Sequence, residues 1–354
     1  MNAAVTPWHQ LMEEAAARVR AAEMAQDLDA AAAAATDAVM RFRGALDLVP
    51  VGLAPLDWAA TQIRLGTALR LLGALLDDVD LLYDAIRSGQ AALSVAPLAT
   101  APQVWGQARA LLASVYVVLG ERDGDLGSLA EAAAGYAEAI EAFPRAVFPL
   151  DRARMLRNRG AALALAAEAG NDPDALHDAI GCYRAALEVY SPAASEPADW
   201  ALPEWVRADA ALADRARADW ALTQSNLGQA LRLLGEQTGE VPYEMPPGRM
   251  PPRVTSTGTH YLHEAVAACE AALAATADDA APEERAMITT NLANALAALG
   301  GRAGDPDSLR RAIDAYRQAL AALGGPRWLR QRAIARHNLR LAEQRLATIE
   351  VDSR

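Results

Sequence analysis

Apolar and polar positions follow a helical period along the chain, and the pattern itself recurs. Leu82, Leu129 and Leu176 are spaced by 47 residues, as are Leu262 and Leu309. Alanine follows each leucine three residues on (Ala85, Ala132, Ala179, Ala265, Ala312) and ten residues on (Ala92, Ala139, Ala186, Ala272, Ala319). Between them, seven residues on, stands Gly89, Tyr136, Tyr183, Cys269 or Tyr316. Ala38, Phe42 and Ala45 lie one period upstream. Offsets of three and four put these side chains on one helical face, with small residues where another helix comes close.

A further helix is predicted before each of these. Its landmarks are Leu65-Gly66, Leu112-Ala113, Arg159-Gly160, Leu227-Gly228 and Leu292-Ala293. The small residue admits a closely crossing partner. Seven residues later comes Gly73, Gly120, Gly235 or Gly300, read as the glycine that ends the helix. Asp78, Asp125, Asp172 and Asp305 each precede the next leucine by four residues, and proline follows in Asp172-Pro173 and Asp305-Pro306. That is an N-cap with proline at the first helical position, and the ligand spacing of a calcium loop is absent.

Two copies are longer than the rest. Gly160 to Gly228 spans 68 residues instead of 47, and Gly235 to Leu262 spans 27 where Gly73 to Leu82 spans 9. The first insertion, 191–217, repeats Ala-Asp-Trp-Ala-Leu at 198–202 and 218–222, and its later part is expected to lengthen the next helix. The second, 236–260, holds five prolines from Pro242 to Pro252 and reads as a proline-rich loop. The stretch 327–349 aligns as an unpaired helix, with Leu339 one period after Leu292 and Arg340 in the small-residue place, as a polar cap requires. One domain spanning 1–354 is expected, of six hairpins plus the cap.

Composition narrows the chemistry. The 354 residues are 53% hydrophobic, mostly alanine, and only 5% aromatic, which favours close-packed helices over sheets. None of the 33 basic residues is lysine, excluding lysine-dependent phosphate loops, Schiff-base enzymes and protein kinases. Lysine codons are AT-rich, so a GC-rich bacterial genome is expected. A net charge of −12 repels nucleic acid. Two cysteines, Cys182 and Cys269, make no disulfide framework. No signal peptide or membrane span is recognised, so a cytoplasmic protein is expected.

With small residues in the first helix and Ala-x3-Tyr/Phe-x2-Ala in the second, the chain resembles the tetratricopeptide repeat family. Pro50, Pro97 and Pro144 add to this, falling five residues after the last alanine, where that family often has proline. The period departs from the family's ~34 residues, which is read as a longer turn within each hairpin and a longer link between hairpins. Long repeats of this kind are similar to bacterial arrays beside CHAT protease domains. The resemblance implies an all-α, right-handed solenoid of about six helix-turn-helix repeats that binds another protein or a peptide, without a cofactor.

Asn158, Asn226, Asn291 and Asn338 recur in one register just before the landmark pair, with Arg64 in the equivalent earlier place. Asparagine is a mediocre helix former, and its amide both donates and accepts, which suits an extended peptide backbone or a neighbouring helix. In peptide-binding tetratricopeptide domains the matching position often carries asparagine, so the resemblance implies that role for these four. Arg70 and Arg232 lie six residues beyond the register, and Arg154 and Arg157 just before it. With Arg64 they suit an acidic segment. Trp58, Trp105 and Trp220 recur eight residues before the small residue and read as structural. Trp200 and Trp205, outside that register, are candidate partner anchors.

No catalytic constellation is recognised, so a non-enzymatic scaffold is expected. Three other readings stand beside it: a regulatory subunit of a separately encoded CHAT-type protease, a homo-oligomer, and a metal enzyme using His260 and His263. For the last, the free variation of the His263 position favours a surface helix.

Overall fold

The computed structural model describes residues 6–190, 210–238, 257–276, 282–325 and 328–352. Among them are thirteen helices and no strand. They are α1 (Pro7–Met24), α2 (Leu28–Asp47), α3 (Pro55–Leu76), α4 (Val79–Val95), α5 (Pro102–Asp123), α6 (Leu126–Glu141) and α7 (Pro149–Gly170). Then come α8 (Pro173–Tyr190), α9 (Ala210–Gln237), α10 (Thr257–Ala275), α11 (Pro282–Ala303), α12 (Pro306–Ala322) and α13 (Leu329–Asp352). They make helix-turn-helix pairs in sequence order, with α13 as the final single helix. The chain forms two compact units, Met1–Ala162 and Leu163–Arg354, divided within α7.

Each repeated residue type has a physical task. Asp78 accepts from the amides of Asp80 and Leu81, and Asp125 from those of Gly127 and Ser128. Asp172 and Asp305 cap α8 and α12 in the same way. The leucine register is buried throughout, with Leu82, Leu129, Leu176, Leu262 and Leu309 at most 2% exposed. Burial of each contributes roughly 1.5–3 kcal/mol.

The turn inside the hairpin differs from expectation. In four hairpins it is two residues long: Asp77-Asp78, Gly124-Asp125, Asn171-Asp172 and Gly304-Asp305. The first residue of each is left-handed, with φ of 53, 66, 52 and 62°. Gly73, Gly120 and Gly300 therefore do not end their helices; each is followed by three more helical residues. They are glycine because the next helix leans on them. A Cβ on Gly120 would come within 2.6 Å of Leu129 Cγ, and one on Gly300 within 2.8 Å of Leu309 Cγ. The carbonyls of Gly73, Gly120 and Gly300 also accept from the backbone of the capping aspartates at 2.9–3.1 Å.

The extra length of the repeat thus resides in 22-residue first helices and in the links between hairpins. Those links share one design. Pro50, Pro97 and Pro144 each accept, at the carbonyl, from the amides three and four residues on. A second proline, Pro55, Pro102 or Pro149, then opens the next helix.

In the first unit, α1, α3 and α5 touch in succession, as do α9, α11 and α13 in the second. Among the described residues no comparable contact joins α2 to α4 or α4 to α6, nor α10 to α12. Within each unit the first helices therefore stand closer together and line the inner side of the stack. The first insertion lengthens α9, which begins at Ala210, carries Trp220 1% exposed, and runs 28 residues. The ends of the second expected loop are helical, up to Gln237 and from Thr257. The unpaired C-terminal helix is α13. No helix among the described residues is long and apolar enough to cross a membrane.

Candidate functional site

On the inner side of the second unit, α9, α11 and α13 enclose a cavity of about 210 Å3. Arg232, Asn294, Tyr316, Asn338 and Arg345 are on its walls. A more open recess of about 450 Å3 shares Glu236, Ala298 and Arg345 with it. Two of the sequence-predicted residues, Arg232 and Asn338, meet here; Tyr316 arrives from α12, and Asn294 and Arg345 add to them.

The polar atoms form a network. The Tyr316 hydroxyl donates to Asn294 Oδ1 at 2.6 Å, and Asn338 Nδ2 donates to the same oxygen at 3.0 Å. Burial pushes the Tyr316 hydroxyl well above its ordinary range; Arg232 and the Asn338 amide pull it partly back. The phenol is thus a fixed neutral donor. Arg232 ion-pairs with Glu236 one turn on at 2.6 Å. Arg345 is exposed, with its guanidinium over Gly301, where a Cβ would come within 2.9 Å of it. Two guanidinium groups against one carboxylate leave positive charge at a concave, partly open place. Such a place receives acidic groups, and guanidinium forks orient them.

The other candidates are placed as follows. Asn158 is hydrogen-bonded to Tyr136, and its Oδ1 accepts from Arg157 at 3.4 Å. Asn291 Nδ2 donates to Ser225 Oγ of α9 at 2.9 Å. Asn158, Asn291 and Asn338 thus tie neighbouring helices together, one of the two roles their amides allow. Asn226 is half-buried, and among the described residues no side chain hydrogen-bonds to it. Arg64 is exposed on α3. Arg154 pairs with Asp151. Arg157 is only 9% exposed and Arg70 half-buried, both beside Tyr136 in the first unit. Trp200 and Trp205 lie outside the described residues.

The sequence reading missed Asn294 and Arg345, and it missed the pairing of tyrosine with asparagine. Tyr136 and Asn158 are 22 residues apart, and so are Tyr316 and Asn338. This spacing was the available signal: the tyrosine of one second helix meets the asparagine of the next first helix.

The histidine pair is placed on a helix surface. His260 and His263 are exposed; His260 pairs with Glu264 at 2.8 Å, and Glu264 also takes Arg184 at 2.8 Å. Among the described residues no group of three or more His, Cys, Asp or Glu is arranged to hold a metal ion. Cys269 is fully buried, and desolvation pushes its thiol up to about 12. Its sulfur fills the space left by Gly228, where a Cβ would lie 2.4 Å from Sγ.

No family model matches the chain, and no curated protein matches it. Solved structures do match it, and two of them follow. One is a circular tandem repeat protein with novel repeat topology and enhanced subunit contact surfaces, 16% identical over 97% of this chain and 82% of that one, with a TM-score of 0.29. Another comes from the computational design of self-assembling cyclic protein homo-oligomers, 13% identical over 98% of this chain and 95% of that one, with a TM-score of 0.19. At these values the likeness assigns no partner and no mode of assembly.

Proposed function

We propose that this protein is a non-enzymatic interaction scaffold that holds an extended, acidic segment of a partner protein against its first-helix surface. The observation that carries this reading is the convergence of Arg232 and Arg345 on one open cavity around Tyr316, Asn294 and Asn338. The asparagines position the network, and the arginines meet the partner. Carboxylates of the partner displace Glu236 from Arg232 or bridge Arg232 and Arg345, gaining charge-assisted hydrogen bonds in a partly desolvated place. The chain's net charge of −12 makes this local excess of guanidinium selective by contrast with the surface around it.

An array of extended peptides of varied charge tests the reading. The wild-type chain is expected to retain acidic members, and Arg232→Gln with Arg345→Gln to weaken them by about tenfold or more. Retention indifferent to peptide charge, or unchanged in the double variant, would remove it.

A further inference from the structure

The two units carry the same constellation, offset along the chain. Arg70 and Arg232 are 162 residues apart. Tyr136 and Tyr316, and likewise Asn158 and Asn338, are 180 apart, the difference being the 18 residues inserted after Gly235. In each unit a first-helix arginine, the tyrosine of the following hairpin and the asparagine of the helix after that come together. The electrostatic effect of Arg70 on Tyr136 matches that of Arg232 on Tyr316.

The donors are the same in both copies, but the acceptors are not. In the second unit the guanidinium of Arg232 is met by Glu236, and the Tyr316 proton by Asn294. The residues in register with those acceptors in the first unit are Ala74 and Ser114. Ala74 has no acceptor, and Ser114 turns its hydroxyl to the Leu111 carbonyl at 2.7 Å. Among the described residues no carboxylate pairs with Arg70, and the side chain hydrogen-bonded to the Tyr136 hydroxyl is Asn158, with no second amide in the place of Asn294. Among the described residues the one acidic group with an electrostatic effect on Arg70 is Glu23 of α1, which is exposed. Burial lowers the Arg70 pKa, and the charges of Tyr136 and Glu23 only partly oppose it. Tyr136, pushed up to about 12 chiefly by burial, stays protonated and able to donate. A desolvated charge demands a partner, and a phenol with one amide beside it can still take a second.

We infer that the first unit binds an external carboxylate at Arg70 and Tyr136, one oxygen facing the guanidinium and the other the phenol, in place of the internal acceptors that Glu236 and Asn294 provide in the second unit. Glu236 is the guide to the chemistry, because a carboxylate already answers the equivalent arginine. The inference deepens the interaction reading by naming the group a partner presents to the first unit. It rests on that reading only for the source of the carboxylate, either an acidic side chain of a partner or a free carboxylic acid.

The test uses the full chain with two probes, succinate and a tetra-glutamate peptide, at constant ionic strength against chloride and a tetra-glutamine peptide. Binding is read by calorimetry and by the rise of Tm with probe concentration. Ala74→Glu places a carboxylate one turn beyond Arg70 on an exposed helical position, reproducing the Arg232–Glu236 pair. It is expected to raise Tm without probe and to weaken probe binding by about tenfold or more. Arg70→Gln and Tyr136→Phe are expected to weaken it too, and Ala74→Glu keeps the test decisive if either of those fails to fold. Binding of both probes points to a free acid as sufficient; binding of the peptide alone points to a partner's side chain. If neither probe binds better than its control, or if Ala74→Glu binds as the wild type does, the inference falls. The peptide array reads Arg232 and Arg345 instead, so either result can fail without the other.

Discussion

Tyr316 and Asn294 are joined by a 2.6 Å hydrogen bond from the α12 phenol to the α11 amide, and Asn338 of α13 shares the same acceptor. A core position of the hairpin repeat thus doubles as the organiser of a surface cavity. Burial fixes the ring, the ring fixes two amides, and the amides sit beside Arg232 and Arg345.

Tyr316→Phe removes the donor and leaves Asn294 with Asn338 alone. A loss of about 1 kcal/mol is expected, the usual net worth of such a bond. Hydrogen exchange should show the loss concentrated in α11, α12 and α13. Faster exchange spread evenly over both units would contradict the local role.

Gly120→Ala tests the reassigned glycine. On an exposed helix the change would stabilise by up to about 1 kcal/mol. Here the new Cβ would come within 2.6 Å of Leu129 Cγ, so a net destabilisation of about 1–3 kcal/mol is expected. A denaturant series on Gly120→Ala, with Gly124→Ala as the left-handed comparison, separates close packing from backbone conformation.

The capping aspartates give stability an acid limb. The Ser128 hydroxyl, helped by the amides of Gly127 and Ser128, holds the Asp125 carboxyl below its ordinary range. Ser308 does the same for Asp305, opposed by burial and helped by the amides of Asp307 and Ser308 and by the charge of Arg311. A carboxyl that is more acidic folded than unfolded contributes fully above its unfolded pKa of about 3.9 and loses that contribution as pH falls through the folded value. Asp125→Asn with Asp305→Asn keeps the caps and removes the titration. The double variant should show a shallower fall of Tm with pH below about 4. An unchanged acid limb would show that the caps carry none of it.

Cys269 is expected to be inert. With its thiol pushed up to about 12 and its side chain fully buried, alkylation of the native protein at pH 8 should not reach it. Modification should follow denaturant-induced opening; rapid labelling in buffer would mean that the α9–α10 pairing opens readily.

Much of this was legible in the chain. The leucine–alanine–tyrosine register reports burial, and burial in a helix has a fixed period. The aspartates are equally plain, since a short acceptor before a helix has one common task. Gly73, Gly120 and Gly300 misled because a glycine near a helix end suits either a left-handed turn or a close crossing, and sequence alone does not separate them. The left-handed place lies four residues on, hidden by being Asp77, Gly124, Asn171 or Gly304. The asparagines were ambiguous for a similar reason: an amide serves a neighbouring tyrosine as well as a bound strand. Arg345 and Asn294 were invisible because the cavity is assembled by three helices, and their convergence leaves no mark within any one repeat.

In four hairpins the two-residue turn is closed by atoms that are neighbours in the chain: a left-handed residue, a capping carboxylate, and a carbonyl five residues before it, from glycine in three of them and from Ala167 in the fourth. None of these contacts waits on a distant segment. A ribosome releasing this chain from its amino end can therefore let successive pairs of helices settle as they emerge, each offering its flank as the template for the next.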